Sequence, residues 1–355
     1  MRTRRGFLAG LLAATSAPSI GWSAAGSPAF IAATQNKDGS HAIKGVDHDG
    51  FVTFVAPLPA RGHAGASHPF RAQAVVFARR PGQFAVVVDC ARGTLKKTLH
   101  APQGHEFNGH GVFSKDGAYL FTSEQTARGS EGRIGVWDSG TYQRVDEFSS
   151  HGIGPHEIRL SRDGSELIIA NGGIETTPGG RTKLNLDTMR PNLTYLSLTG
   201  RLMETVVLET AYRMNSIRHL ALSPDGTVAF AMQWQGDALD APPLLALHRR
   251  TEDPLICHAP ALDAQMMTGY AGSVSFSGDG TEVAYTSPMG GRMLVFDTQG
   301  TFRRSISRTD ICGLAPHPEG FITSDGLGAL IKITNSGASM LSKSDAAWDN
   351  HIVAL

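Results

Sequence analysis

The sequence predicts an all-β fold: a seven-bladed β-propeller of the WD40/YVTN-like kind, its ring closed by the C-terminal strand. Three observations lead there. First, a histidine followed by a short β-rich run recurs as HGVFSKDG from His110, HEIRLSRDG from His156 and HLALSPDG from His219. Second, the last five residues, HIVAL from His351, begin a fourth copy that stops before any turn. Third, four-stranded units repeat at spacings of roughly 35 to 62 residues, the range of propeller blades.

The strands follow in order. Asp116-Gly117, Asp163-Gly164, Asp225-Gly226 and Asp279-Gly280 each separate two β-rich runs, and Pro81-Gly82 and Glu319-Gly320 are weaker copies. Asp-Gly between such runs is a hairpin signal, because Gly accepts the positive φ of a tight turn. The second strands read FAVVVD, AYLFTSE, ELIIAN, TVAFAMQ, EVAYTS and FITSDG. Third strands such as RIGVWDSG and MLVFDTQG follow, then fourth strands such as YQRVDEF and TFRRSIS. Six innermost strands are expected to start near Ala72, His110, Glu157, His219, Ser273 and Ile311. PAFIAATQ, near residue 28, reads as a second strand without a first, and HIVAL as a first without a second. Together they complete a seventh blade, which removes two free sheet edges.

Residues 1–25 read as a twin-arginine export signal: Arg4 and Arg5, then Phe7 and Leu8, a short apolar run, and small residues at Ser23-Ala24-Ala25. The apolar run from Gly6 to Ala17 is too short to span a bilayer. The expected mature chain, 26–355, is one periplasmic, monomeric propeller domain without a membrane span. With 32 basic and 32 acidic side chains there is no excess of cations for a nucleic-acid partner. Cys90, Cys257 and Cys312 are an odd number without a CxxC, which suits buried, reduced thiols.

In a propeller the innermost strands line the central channel, so residues that start them gather at one mouth. His110 and His219 lie six residues before their turn aspartates; His156 lies seven before, with Glu157 at six. Arg218 and Cys312 hold the seven position, and Val75, Ser273 and Gly313 the six position. His68 and Arg71 precede the strand expected at Ala72. The metal-ligating candidates are therefore His68, His110, His156, His219 and His351. The ligand-binding candidates are Arg71, Glu124, Glu157, Asn171, Arg190, Arg218 and Asn350. The long insertion from Asn171 to Asn192, carrying Arg181, Lys183 and Arg190, falls on the same face, where a lid would sit. Converging neutral imidazoles suit copper, iron or zinc. With the Arg and Lys nearby they also suit an anion or carboxylate. The third reading is a polar, water-lined channel. Trp348 is expected at the closure seam, with Asp349 and Asn350 placed to orient His351.

There is no G-x-S-x-G, H-E-x-x-H or Walker loop. Six segments do carry a family resemblance: YLFTSEQ…GRIGVWD, FSSHGIGPHEIRL, LIIANGGIETTPGGRTKLNLDTMRPNLTYL, SIRHLALSPDGTV, YAGSVSFSGDG and WDNHIVAL. Together they resemble domain-of-unknown-function family 1513 over nearly the whole mature chain, with MRPN and WDNH the most distinctive. The resemblance implies an exported bacterial seven-bladed propeller. It also implies imelysin-like or cytochrome-like periplasmic partners and a role near iron acquisition. It supplies no catalytic residues. The function expected is binding of a metal, a metal chelate or a partner protein at the channel mouth. The alternatives are an enzyme using the same histidines, either a metal-dependent oxidoreductase or a lactonase-like hydrolase, and an inert interaction scaffold.

Overall fold

A computed structural model of the chain describes residues 21–79 and 82–355. Most of the predicted export signal therefore lies outside the described residues. Seven four-stranded antiparallel sheets form the blades of a ring. Blade I joins the C-terminal strand Ala347–Ala354 to Phe30–Gln35, His41–Val46 and Val52–Leu58. The two chain ends are thus sewn into one sheet, with Phe30 opposite Ala354 and Gln35 opposite Ala347. The innermost strands of blades II to VII are Gly62–Ser67, His105–Phe113, Pro155–Leu160, Asn215–Leu222, Ser273–Phe276 and Ile311–His317. Each packs beside the next, and the last packs against Ala347–Ala354.

One predicted strand frame is corrected. The run after Ala72 is the second strand of blade II, not its first, and FAVVVD is the third. The first is Gly62–Ser67, GHAGAS, whose small residues carry little β propensity and no Asp-Gly turn. Elsewhere the frame holds. The repeated Ser-x-Asp-Gly turns are built alike, the serine hydroxyl of Ser114, Ser161 and Ser277 each donating to the Asp two residues on at 2.6 Å. The one α-helix among the described residues, Ala261–Met266, lies before blade VI.

Alternating strands put apolar side chains on both faces of each blade, so every blade is sandwiched by its neighbours. Seven apolar clusters result, one between each pair of adjacent blades. The closure seam is the cluster of blades VII and I, where Phe30, Trp348 and Ile352 meet Ala315, Ile322 and Leu330. Trp348 Nε1 donates to the Gly328 carbonyl at 3.2 Å. Trp348→Ala is expected to cost about 3–5 kcal/mol, as truncation of a buried Trp does. Urea unfolding of the variant against wild type measures it.

Candidate functional site

The innermost strands do not pair evenly with their neighbours. In blades I, II, III, IV, V and VII the inner strand carries one or two more residues than its partner across a short stretch. Blade VI pairs without a slip. Such β-bulges bend a strand and re-aim the side chains in it. Here they fall between Gly62 and Gly65, Phe107 and Gly111, Pro155 and Ile158, Ile217 and His219, and Trp348 and Ile352. Those intervals hold His63, His110, His156, His219 and His351.

The five rings meet on the axis. His63 lies 5.1 Å from His110 and 4.7 Å from His351, centroid to centroid. His110 and His156 are 4.8 Å apart, as are His156 and His219, and His219 and His351. His63, His110 and His156 each offer a ring nitrogen within 4.8 Å of the others, and so do His110, His219 and His351. The second set is buried; His63 and His156 are half-buried. A tetrahedral ion with nitrogen ligands holds them about 3.3 Å apart, so an ion here would draw the rings inward. Gly109 makes room for this crowding. Its φ of +96° is a glycine conformation, and a Cβ there would stand 2.5 Å from His63 Cδ2.

The electrostatics favour neutral imidazoles. Burial, with mutual repulsion added, holds His110, His156 and His351 well below the usual imidazole range. Burial also lowers His63 to about 4. His63 Nδ1, His110 Nε2, His156 Nδ1 and His351 Nε2 are buried without a hydrogen-bond partner. Glu157 is the buried carboxylate beside them. Burial alone would raise it, but Arg159 and His219 outweigh that and hold it at about 2. Its Oε1 receives Arg159 at 2.6 Å. Its Oε2 accepts the Leu220 amide at 3.0 Å and His219 Nδ1 at 3.3 Å. With the carboxylate as acceptor, the His219 proton is on Nδ1 and Nε2 is left with its lone pair. A carboxylate behind a histidine is how metal-binding imidazoles are oriented.

Above the histidines a pocket of about 280 Å³ opens at the channel mouth, bordered by His63, His156 and His219. The blade IV insertion forms one wall through Ile174, Thr176, Arg181 and Lys183. Gly179 N donates to Glu106 and Lys183 Nζ to Gln235 Oε1, each at 2.6 Å, which ties the loop across to blades III and V. Below the histidines the channel narrows to about 20 Å³, lined by His110, Glu157, His219, Ser273 and His351.

The predicted residues divide accordingly. His110, His156, Glu157, His219 and His351 come together, and Arg218 and Asn350 line the mouth pocket. His110, His219 and His351 sit within their strands, which begin further upstream at His105, Asn215 and Ala347, whereas His156 follows the first residue of its strand, Pro155–Leu160. His68 is not among them. It lies at the opposite face, where its Nε2 meets the Gly117 carbonyl at 3.1 Å and its Nδ1 accepts the Phe70 and Arg71 amides. Arg71 points to Ser139 on that face. Both displacements follow from the shifted frame of blade II, and His63 takes the place expected of His68. Glu124 is buried inside blade III, held by Arg144 Nη1 at 2.6 and 2.8 Å. Asn171 is bound to Ser150, Asn192 and Thr194 between blades III and IV. Arg190 is exposed on the loop and is not part of the pocket lining. Asp349 binds Arg61 at 2.5 Å rather than orienting His351. Cys312 is buried and free, its thiol pushed up to about 12 by burial, so it offers no thiolate.

Residues 56–355 match the family described as Protein of unknown function (DUF1513), and the chain belongs to that family. Comparison with curated proteins found no match. Among solved structures the chain is similar to Kuenenia stuttgartiensis hydrazine synthase, at 15% identity and a TM-score of 0.58, over 93% of this chain and 98% of that one. At that identity the likeness extends to the fold.

Two outcomes are expected. Gly109→Ala should cost about 1–3 kcal/mol in urea unfolding, since it forces an L side chain into a left-handed backbone against His63. Stability should also fall with pH. The unfolded chain takes up protons on these histidines below about 6.5, while folded His63 resists until about 4. Loss therefore runs from about pH 6.5 to 4, and protonation of Glu157 adds to it from about 4.5 downward. Unfolding midpoints across that range test the sign; a flat profile would contradict it.

Proposed function

We propose that this propeller binds one first-row transition ion on its axis, through the histidines of blades I, II, III, IV and V. The observation that carries the reading is the set of buried, unpartnered ring nitrogens on His63, His110, His156 and His351. Protein groups do not meet these nitrogens, and a buried polar group left unmet costs about 1–3 kcal/mol. An ion instead uses their lone pairs directly, and neutral imidazoles suit zinc, copper, iron or nickel. Glu157 then acts as the positioning group behind His219, and its negative charge offsets part of the ion's. An enzymatic role has one supporting observation: His63, His156 and His219 also border the mouth pocket, so a small molecule there reaches the ion's open side.

We further assign the protein to the periplasm, on Arg4, Arg5 and the apolar run after them. On the family resemblance we assign it to an iron-linked system with imelysin-like or cytochrome-like partners. Elemental analysis of untagged periplasmic protein should give about one equivalent of copper, iron or zinc. His110→Ala with His219→Ala should abolish it without unfolding the ring. Glu157→Gln should weaken affinity by roughly 10–100-fold, the usual effect of losing such a support. Unchanged metal content in the double variant overturns the site.

A further inference from the structure

Five axial histidines are more than one tetrahedral ion takes, since such an ion has four ligands and an open site three protein groups and a water. The rings do not form one shell. His110 is the hub, its centroid 5.1 Å from His63, 4.8 Å from His156, 5.9 Å from His219 and 5.0 Å from His351. The two sets of converging nitrogens, His63 with His110 and His156, and His110 with His219 and His351, share this one residue. They lie at different depths. His63 and His156 border the mouth pocket, which His110 and His351 do not reach. His110 and His351 line the narrow section below, which His63 and His156 do not reach. Strand register agrees with this order. His63 and His156 are each the second residue of an inner strand, whereas His219 and His351 are the fifth of theirs and His110 the sixth.

The two sets also differ in chemistry. The inner set contains His219, whose Nδ1 faces Glu157 at 3.3 Å, and the carboxylate lies in the same narrow section. A carboxylate behind an imidazole orients it and raises its basicity. The outer set does not contain His219, and it opens on a pocket of about 280 Å³ where water completes an ion's coordination. We propose that the axis holds one ion at two overlapping positions, an outer exchange position on His63, His110 and His156 and an inner holding position on His110, His219 and His351. The proposal rests on the metal reading above and adds where the ion enters and where it rests. The section of about 20 Å³ below has room for about one water, too little for a hydrated ion, so loading is from the mouth. Passage inward exchanges two ligands while His110 stays bound. Each outgoing ring has its replacement beside it: His219 lies 4.8 Å from His156, and His351 4.7 Å from His63. The exchange moves one neutral imidazole for another and leaves the ion's charge unchanged.

Rapid mixing of the metal-free, untagged protein with cobalt(II) tests this, because the visible bands of that ion report its ligand set. Two phases are expected in the unsubstituted protein: a first whose rate rises with cobalt concentration, and a second, with a change of spectrum, whose rate does not. His63→Ala with His156→Ala should remove the first phase and slow uptake roughly tenfold or more, while weakening affinity less than His351→Ala does. His351→Ala should keep the first phase, remove the second and weaken affinity roughly a hundredfold. A single phase at all concentrations in the unsubstituted protein would overturn the two positions, whatever the variants do. So would a second equivalent of cobalt bound at the same time. A His63 and His156 double variant that loses as much affinity as His351→Ala, with its uptake rate unchanged, would place all five histidines in one site; the two positions would fall and the metal reading would stand. No uptake of cobalt or zinc by the unsubstituted protein would overturn both.

Discussion

Closure of the ring is the constraint on which everything else depends. The C-terminal strand Ala347–Ala354 completes the blade begun by Phe30–Gln35, and apolar clusters flank that blade on both sides. Each blade is buried only because its neighbours are present. A blade removed would expose two apolar faces, so the axis exists only in the closed ring. The axis in turn brings His63 beside His351, residues that no local structure could join.

The bulges turn that axis into a site. A regular inner strand would present alternate residues to the channel at a fixed register. The extra residues in the inner strands break that register and let neighbours such as His156 and Glu157 both serve the same centre. The arrangement keeps the imidazoles neutral, because they are buried against one another and burial holds His110, His156 and His351 well below the usual imidazole range. His63, His110, His156 and His351 bring four ring nitrogens without a protein partner to one centre.

The blade count, the closure and four of the five axial histidines were legible in the sequence, because Ser-x-Asp-Gly turns fix the inner-strand ends of blades III, IV, V and VI and HIVAL repeats the run that follows the earlier histidines. His63 was not. Its strand, GHAGAS, has no such turn and few β-branched residues, so the apolar run QAVVFA looked like the first strand of blade II. Strand arithmetic held the signal. Starting blade II at Ala72 leaves it three strands and gives the N-terminal blade a fifth, whereas four each requires GHAGAS to be the inner strand. Glu124 and Asn171 were placed on the channel face by their position at second-strand ends. Pattern alone does not reveal that Arg144 and Ser150 claim them inside the blades.

The distribution of the histidines around the ring is not a by-product of repetition. If the repeat itself demanded a polar group there, every blade would supply one. Instead the five histidines occupy five consecutive blades, I to V. At the corresponding places blade VI presents Ser273, and blade VII presents Gly313, where a Cβ would stand 2.8 Å from Ile352 Cγ1. Blade VII has a bulge without a histidine, so the bulge does not require one. An arc of imidazoles facing a side of small residues has a preferred direction. Glu157 and Arg159 stand on one side of it and the mouth pocket on the other. A bound ion would therefore have a closed floor carrying the Glu157–Arg159 ion pair and an open side at the mouth.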